Sequence, residues 1–249
     1  MGTYGGPDIV TDGLVLSLDA ANKKSYPGSG TTWYDLSGNN YNFTLVNTPA
    51  VNNGFFDFST NEGATLTITG SGVEIPDLLP ENESFTVEIA YKFVGVGSRE
   101  KFIGTGNFGH GGWNLGVGFN TFDQIDFSGY NGQCNDGVNC QYNRGNLTAT
   151  VTNNTSSFSY YQLVYNYENT TTYLYINGVL IKSQFDATYG TGKNPNGIGN
   201  TSNFQIGLNT QGGWSSKKGF CGPVKYYNRA LSTSEVLQNY NATKGRFGL

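Results

Sequence analysis

The sequence predicts an all-β protein: a single β-sandwich or jelly roll of two antiparallel sheets, with one short C-terminal helix. Segments in which apolar and polar residues alternate recur along the chain, as half-buried strands require. The 36 glycines and the 14% aromatic content favour strands that are joined by tight turns. A chain of 249 residues accommodates about 14 strands of moderate length around one core.

Two strand predictions are the most specific. Residues 85–94 alternate strictly and therefore predict a strand with one apolar face. That face consists of Phe85, Val87, Ile89 and Tyr91, and the opposite face of Thr86, Glu88 and Ala90. Within 171–185, Asn177-Gly178 predicts a type I′ hairpin turn, because both central residues of that turn need φ > 0. Further strands are predicted at 14–19, 55–58, 64–69, 113–119, 124–128, 158–168, 203–208 and 220–227, and long loops at 128–157 and 186–202.

The helix prediction covers residues 231–240. Ser232 and Glu235 have the spacing of a capping box, in which each side chain satisfies a backbone N–H group of the first turn. Leu231 and Val236 have the spacing of the hydrophobic staple that accompanies such a cap. These residues predict a short terminal helix and carry no binding motif.

Composition excludes several classes of partner. The net charge is −4 and the 14 Lys and Arg residues are scattered, so we expect no binding to nucleic acid or anionic lipid. No apolar run approaches the ~20 residues that a membrane span needs. The first ten residues lack the charged and apolar regions of a signal peptide. We therefore expect synthesis in the cytoplasm without a signal peptide and no membrane insertion.

The three cysteines do not predict a disulfide scaffold. Cys134 and Cys140 bracket a turn-rich segment, and they either close a small loop after oxidation or remain free thiols. Cys221 lies among strand-like residues, which predicts a buried thiol. With one histidine and no C-x-x-C motif, the sequence excludes a Cys/His zinc site.

Two segments carry a resemblance to a known family. They are DGLVLSLDAANKKSYPGSGTTWYDLSGNNYNFTLVN at 12–47 and VKYYNRALSTSEVLQNYNATKGRFGL at 224–249. Together they resemble the concanavalin A-like lectin/glucanase superfamily in its laminin-G-like branch, and more narrowly the versions in virion structural proteins of tailed phages, notably marine phages and cyanophages. The resemblance implies one domain over 1–249 with a core at about 8–242, in which the first and last strands pair and Trp33 is an anchor.

One departure from the family pattern concerns calcium. Many family members have an acidic pair in the last strand, where this chain has Gly222 and Pro223. Neither residue offers a side-chain oxygen, and Ca²⁺ needs several oxygen ligands. We therefore expect no cofactor, although Asp19 with Asn22, and Asp136, are acidic turn positions that calcium could use. Pro223 also predicts an edge strand or a bulge, because proline cannot donate to a ladder.

The sequence does not predict an enzyme. A retaining glycosidase needs two carboxyl groups about 5–5.5 Å apart, and the E-x-D-x-x-E strand pattern of the related β-glucanases is absent. His110 is the single histidine, and no G-x-S-x-G elbow accompanies it. A pair of carboxylates from distant segments remains the third and weakest hypothesis, a glycoside hydrolase.

Carbohydrate binding is the chemistry that the loops favour. Sugar sites use an aromatic ring as a stacking surface and planar polar groups for the hydroxyls, and flanking glycines permit close approach. The candidate glycan-binding residues are Trp113, Trp214, His110, Asn114, Tyr130, Asn131, Tyr142 and Arg144.

Two function hypotheses follow from the residues and the resemblance. The first is a non-enzymatic virion structural component, either a capsid decoration or a head or tail surface protein, located in the virion and docked to other virion proteins. It would contact host-surface carbohydrate during host attachment and is compatible with a homo-oligomer. The alternative is a free-standing carbohydrate-binding lectin module. The few residues outside the predicted core favour a compact unit that docks by its own faces.

Overall fold

The computed structural model describes residues 7–60, 63–67, 83–95, 100–104, 112–117, 123–130, 144–152, 155–185, 203–207, 215–216 and 218–249. The strands in these residues are β1 (Leu14–Leu18), β2 (Thr32–Trp33), β3 (Phe43–Val46), β4 (Ala50–Asn52), β5 (Phe55–Phe58), β6 (Gly63–Thr67), β7 (Phe85–Phe93), β8 (Glu100–Gly104), β9 (Gly112–Val117), β10 (Gln124–Tyr130), β11 (Arg144–Thr150), β12 (Ser159–Asn166), β13 (Thr171–Ile176), β14 (Val179–Phe185), β15 (Asn203–Ile206), β16 (Ser215–Ser216) and β17 (Gly219–Tyr227). Helix α1 (Thr233–Thr243) follows and continues into a 3₁₀ turn at Lys244–Arg246.

These strands form two sheets, which confirms the predicted sandwich. The first sheet has the order β14-β13-β12-β7-β17-β5-β4, with β1 also paired to β17. The second has the order β11-β10-β9-β8-β15-β6-β3-β2, with β16 also paired to β8. The described pairs are antiparallel except β16 with β8. The pairing of β1 with β17 joins the two ends of the chain, as the resemblance implied.

The main core lies between the sheets and is rich in aromatic rings. Trp33 is fully buried and meets Phe56 edge to face, with 4.8 Å between ring centroids. The apolar face predicted for β7 is confirmed, since Phe85, Ile89 and Tyr91 belong to this core. Because burial of one such side chain contributes about 1.5–3 kcal/mol, this layer accounts for the cohesion of the two sheets.

Helix α1 packs against the outer face of the first sheet. The capping box is confirmed: Ser232 Oγ accepts from the Glu235 N–H, and the Glu235 carboxylate accepts from the Ser232 N–H. Leu231 and Val236 share a buried cluster, as the staple predicted. The helix begins two residues later than predicted and ends at Thr243, where the Thr243 hydroxyl donates to the Asn239 carbonyl.

The predicted hairpin turn is also confirmed. Asn177 and Gly178 have φ values of 54° and 74°, the left-handed region that a type I′ turn needs. A Cβ on Gly178 would lie 2.8 Å from Tyr240 Cδ1 of α1, so the helix packs directly over this turn.

Two sequence predictions need correction. The stretch 128–157 is not a continuous loop, because it contains β11, whose Leu147 and Ala149 fill the core from alternating positions. The described residues also hold seventeen strands and not about 14, because several of them have only two to four residues.

Pro223 lies at a bulge and not in an edge strand. Strand β17 is central, with β7 on one side and β5 and β1 on the other, and its register with β7 shifts between Cys221 and Val224. A Cβ on Gly222 would lie 2.9 Å from the Ala90 Cβ, so only glycine fits beside the proline without a shift of the neighbours.

Candidate functional site

The outer face of the second sheet carries a continuous row of polar and small residues. Cross-strand pairing connects one position from each of seven strands, β2, β3, β6, β15, β8, β9 and β10. The row is Thr32, Thr44, Thr65, Gln205, Gly104, Asn114 and Ser128. No member belongs to the hydrophobic core, whereas their strand neighbours Phe43, Ala64 and Phe204 do. Gln205, in the middle of the row, is 1% exposed and therefore buried. We call this side of the sheet the polar face.

A second row of the polar face contains two buried ionisable side chains. Lys101 pairs with Gly116, Gly116 with Asp126, and Asp126 with Thr148. Lys101 is 1% exposed, and its Nζ donates to Gln205 Oε1 at 3.4 Å. Burial lowers the pKa of Lys101 to about 7, because removal from water disfavours the charged ammonium. Gly116, which has no side chain, lies between Lys101 and Asp126 in this row.

The backbone register divides four of the predicted glycan-binding residues between the two faces of the sheet. Asn114 and Tyr130 occupy positions that alternate with the core-facing positions of β9 and β10, so both belong to the register of the polar face. Trp113 pairs with Gly129, and Gly129 pairs with Arg144, in the other register. The side chains of these four residues lie outside what the structure describes.

The remaining predicted site residues, His110, Asn131, Tyr142 and Trp214, lie outside the described residues, as do Cys134, Asp136 and Cys140. In the sequence, Asn131 follows β10 directly and Trp214 directly precedes β16.

A buried polar cluster lies on the outer face of the first sheet, beneath α1. The Glu88 carboxylate accepts from the Tyr160 hydroxyl at 2.8 Å, from Gln162 Nε2 at 2.7 Å and from Asn239 Nδ2 at 3.1 Å. Lys225 Nζ lies 3.5 Å from the same carboxylate and donates to the Tyr160 hydroxyl at 2.7 Å. Burial lowers the pKa of Lys225, and the neighbouring Glu88 carboxylate partly opposes that shift. The cluster joins three strands to the helix and is a structural feature.

The motifs behind the resemblance are structural as well. The Asp35 carboxylate of the DLSGN segment accepts from the Ser17 N–H at 2.9 Å, from the Ser37 N–H at 2.9 Å and from the Ser37 hydroxyl at 2.6 Å. It therefore fixes the turn that follows β2 to strand β1. A carboxylate with a binding role would need to be free of such bonds.

The YNRALS segment forms the corner between β17 and α1. Arg229 bonds the Glu235 carboxylate through two nitrogens, at 2.6 and 3.0 Å, and Asp12 at 2.9 Å. The hydrogen bonds from Arg229 lower the pKa of Glu235 to about 2. Thr86 of β7 completes the corner, since its hydroxyl donates to the Arg229 carbonyl and accepts from the Leu231 N–H.

The predicted calcium positions that the structure describes are engaged by the protein. The Asp19 carboxylate bonds Arg246 at 2.5 and 2.9 Å and accepts from the Ala21 N–H. Asn22 Oδ1 accepts from the Lys24 N–H. Among the described residues, no group of three or more His, Cys, Asp or Glu side chains is placed to hold a metal ion. Cys221 is a buried free thiol, as predicted, and burial raises its pKa.

Sequence reasoning missed Lys101, Gln205, Glu88 and Lys225. Each lies within a strand, and alternation places them off the core face without indicating that they are buried. In the part of the chain that the structure describes, no helix is long and apolar enough to cross a membrane.

The two packed antiparallel sheets define a β-sandwich of the lectin type. The profile of a laminin G-like family, described as the concanavalin A-like lectin/glucanases superfamily, matches residues 67–237, which is more than half of the chain. The chain therefore belongs to this superfamily. The match includes β17 and the first part of α1, up to residue 237, but not the segment 12–47 that suggested the family first. A comparison with curated proteins gave no match.

Solved structures of similar fold include binding domains of bacterial toxins and a sialidase. The binding domain of botulinum neurotoxin DC, in complex with rat synaptotagmin II, aligns with a TM-score of 0.65 at 15% identity over 94% of this chain and 52% of that chain. The botulinum neurotoxin serotype D binding domain aligns with a TM-score of 0.62 at 16% identity over 94% of this chain and 53% of that chain. Trypanosoma rangeli sialidase in complex with sialic acid aligns with a TM-score of 0.64 at 17% identity over 94% of this chain and 34% of that chain. The chain thus spans about half of the toxin domains and a third of the sialidase, and the likeness shows the fold.

Proposed function

We propose that this chain is a non-enzymatic structural component of a tailed-phage virion that contacts host-surface glycans through the polar face of its second sheet. The polar face is the observation that carries the proposal. What supports the proposal is that the amide position Asn114 and the aromatic position Tyr130 share the register of this face. Amide groups bond sugar hydroxyls, and an aromatic ring supplies a stacking surface.

The virion part of the proposal draws support from the resemblance of 12–47 and 224–249 to tailed-phage structural proteins. Because Asp35, Arg229 and Glu235 of these segments hold the fold together, these motifs bear on the architecture of the proposed component. Other virion proteins are the partners that this role requires.

The non-enzymatic part draws support from the surroundings of the acidic side chains. Glu88 is buried beneath α1, Asp19 pairs with Arg246, and Glu235 pairs with Arg229. A hydrolytic pair needs two carboxyl groups that face one substrate, and these three carboxylates are engaged within the fold. For the same reason we propose that the protein works without calcium or another cofactor.

The second candidate is a free-standing lectin. It draws support from the comparisons, whose relatives include toxin binding domains and a sialidase bound to sialic acid. The same polar face would serve both functions. Only the assembly in which the protein occurs distinguishes them.

The first experiment is mass spectrometry of purified particles from the source, followed by a high-resolution map. Presence of the chain at the particle surface, with the polar face outward, supports the virion role. Recovery only as soluble protein contradicts it and leaves the lectin candidate.

The glycan contact has its own test on the isolated protein. A glycan array compares the wild type with Asn114→Ala and Tyr130→Ala, and with Tyr34→Ala as a matched control for an exposed tyrosine beyond the opposite edge of the sheet. We expect the first two variants to lose binding at least about ten-fold and the control to retain it. Release of free sugar by the wild type would contradict the non-enzymatic assignment.

A further inference from the structure

The buried cluster around Glu88 holds an amine, an amide and a carboxylate whose chemistry the proposed function does not use. Lys225 of β17, Asn239 of α1 and Glu88 of β7 are at most 4% exposed. Lys225 Nζ lies 3.5 Å from Glu88 Oε2, and Asn239 Nδ2 lies 3.1 Å from the same oxygen atom. The amine and the amide group therefore meet at one carboxylate, in a region that is closed to bulk water.

The amine has the properties of a nucleophile. Burial lowers the pKa of Lys225, which favours the neutral amine, the form in which a lysine attacks a carbonyl carbon. The Tyr160 hydroxyl accepts from Lys225 Nζ at 2.7 Å and so holds the amine beside Glu88. The flexible stem of a lysine lets Nζ turn from that hydroxyl toward Asn239 without a change of the backbone.

The Asn239 amide is placed to be the electrophile. The Val10 N–H donates to Asn239 Oδ1 at 2.8 Å, which polarises the carbonyl and stabilises the negative charge that an attack places on this oxygen. Asn239 Nδ2, the atom that would leave, donates to both Glu88 oxygens at 3.1 Å. The carboxylate thus contacts the attacking and the leaving nitrogen, as a group that passes a proton between them must.

We propose that Lys225 and Asn239 react with each other and form an amide bond that links β17 covalently to α1. Lys225 Nζ attacks Asn239 Cγ, and Glu88 takes a proton from the amine and gives it to Asn239 Nδ2. The Cγ–Nδ2 bond then breaks and ammonia leaves. One C–N bond replaces another, so atoms and charges balance and the reaction needs no co-reactant. The link would hold the C-terminal helix on the first sheet when its noncovalent contacts open.

The test is the intact mass of the full chain under denaturing conditions, measured after purification and again after prolonged incubation. We expect the wild type to be lighter than its sequence mass by one ammonia molecule. Trypsin should then release a branched peptide that joins residues 219–229 to residues 230–244. This peptide arises because the acylated Lys225 is no longer a cleavage site.

Two variants remove one reactant each. Lys225→Arg keeps the positive charge beside Glu88 but has no amine that can form the bond, so it should keep the full sequence mass. Asn239→Ala should keep its full mass as well. The matched control is Lys92→Met, on the same face of β7 as Glu88, where Lys92 Nζ lies 4.5 Å from the centroid of the Phe220 ring. This control should lose one ammonia molecule, as the wild type does.

Melting temperature verifies that the variants fold, and Lys225→Met replaces Lys225→Arg if the arginine variant unfolds. A wild type that keeps its full mass after incubation overturns the inference. So does an ammonia loss that persists in the Lys225 variant, because that loss would come from another amide. Neither result affects glycan binding at the polar face, which lies on the other sheet. The noncovalent energetics of the cluster are those of chains that carry the full mass.

Discussion

Replacement of Glu88 by glutamine tests whether the buried cluster fixes α1 to the first sheet. The carboxylate accepts from Tyr160, Gln162 and Asn239 and is the counter-charge of Lys225. Glutamine keeps the shape but presents an NH₂ group to neighbours that are donors themselves. It also leaves the Lys225 ammonium, 5% exposed, without an opposite charge.

The expected cost is large because the lysine cannot reach water. Removal of one partner of a buried ion pair destabilises by about 3–5 kcal/mol. Against a total of about 5–15 kcal/mol, this is a large fraction of the stability. At roughly 2–4 °C per kcal/mol for a domain of this size, the melting temperature should fall by about 6–20 °C.

The assay is thermal and urea unfolding of the wild type, Glu88→Gln, and the double variant Glu88→Gln/Lys225→Met. The double variant removes both charges, so it should recover much of the lost stability, since neutral replacements of buried pairs are often tolerated. A loss below about 1 kcal/mol for Glu88→Gln, or a double variant less stable than the single one, would refute the reasoning.

Three further predictions concern single side chains. The pKa of Lys101 is about 7 in the fold and 10.5 ordinarily. Between pH 7 and 10.5, the unfolded chain therefore keeps the Lys101 proton that the folded chain has lost. Wild-type stability should therefore rise from pH 7 to 10, whereas Lys101→Met should be more stable than the wild type at pH 6 and should lack this rise in urea titrations. Because the pKa of Glu235 is lowered to about 2, the contribution of its carboxylate to folding stability is present above pH 4.5 and lost toward pH 2. Glu235→Ala should therefore lower the free energy of unfolding by about 1 kcal/mol at pH 7 and by little at pH 2.5, as measured by thermal melts. In a Cys134→Ser/Cys140→Ser variant, the buried Cys221 thiol should react with a thiol reagent only after denaturation, and rapid reaction of the native protein would show that the site opens.

The sequence predicted those elements whose causes are local. The capping box at Ser232 and the Asn177-Gly178 turn each depend on a few adjacent residues, and both are confirmed. Alternation in β7 assigned Phe85 and Ile89 to the core because the side-chain period of a strand is two. Strand β11 was missed because Arg144–Thr150 has only Leu147 as a large apolar residue, which is too weak a pattern to indicate a strand.

The polar face could not be predicted because it depends on register between distant strands. Thr65 and Gln205 face each other only because β6 and β15 pair with one offset, and a shift of β15 by one residue would turn Gln205 toward the core. Alternation alone puts the adjacent Trp113 and Asn114 on opposite faces of β9, but the pairing with β10 was needed to assign Asn114 to the polar face. A candidate site chosen by residue type thus needs the register before its members can be combined, and in this chain the register favours Asn114 and Tyr130 as the pair to mutate first.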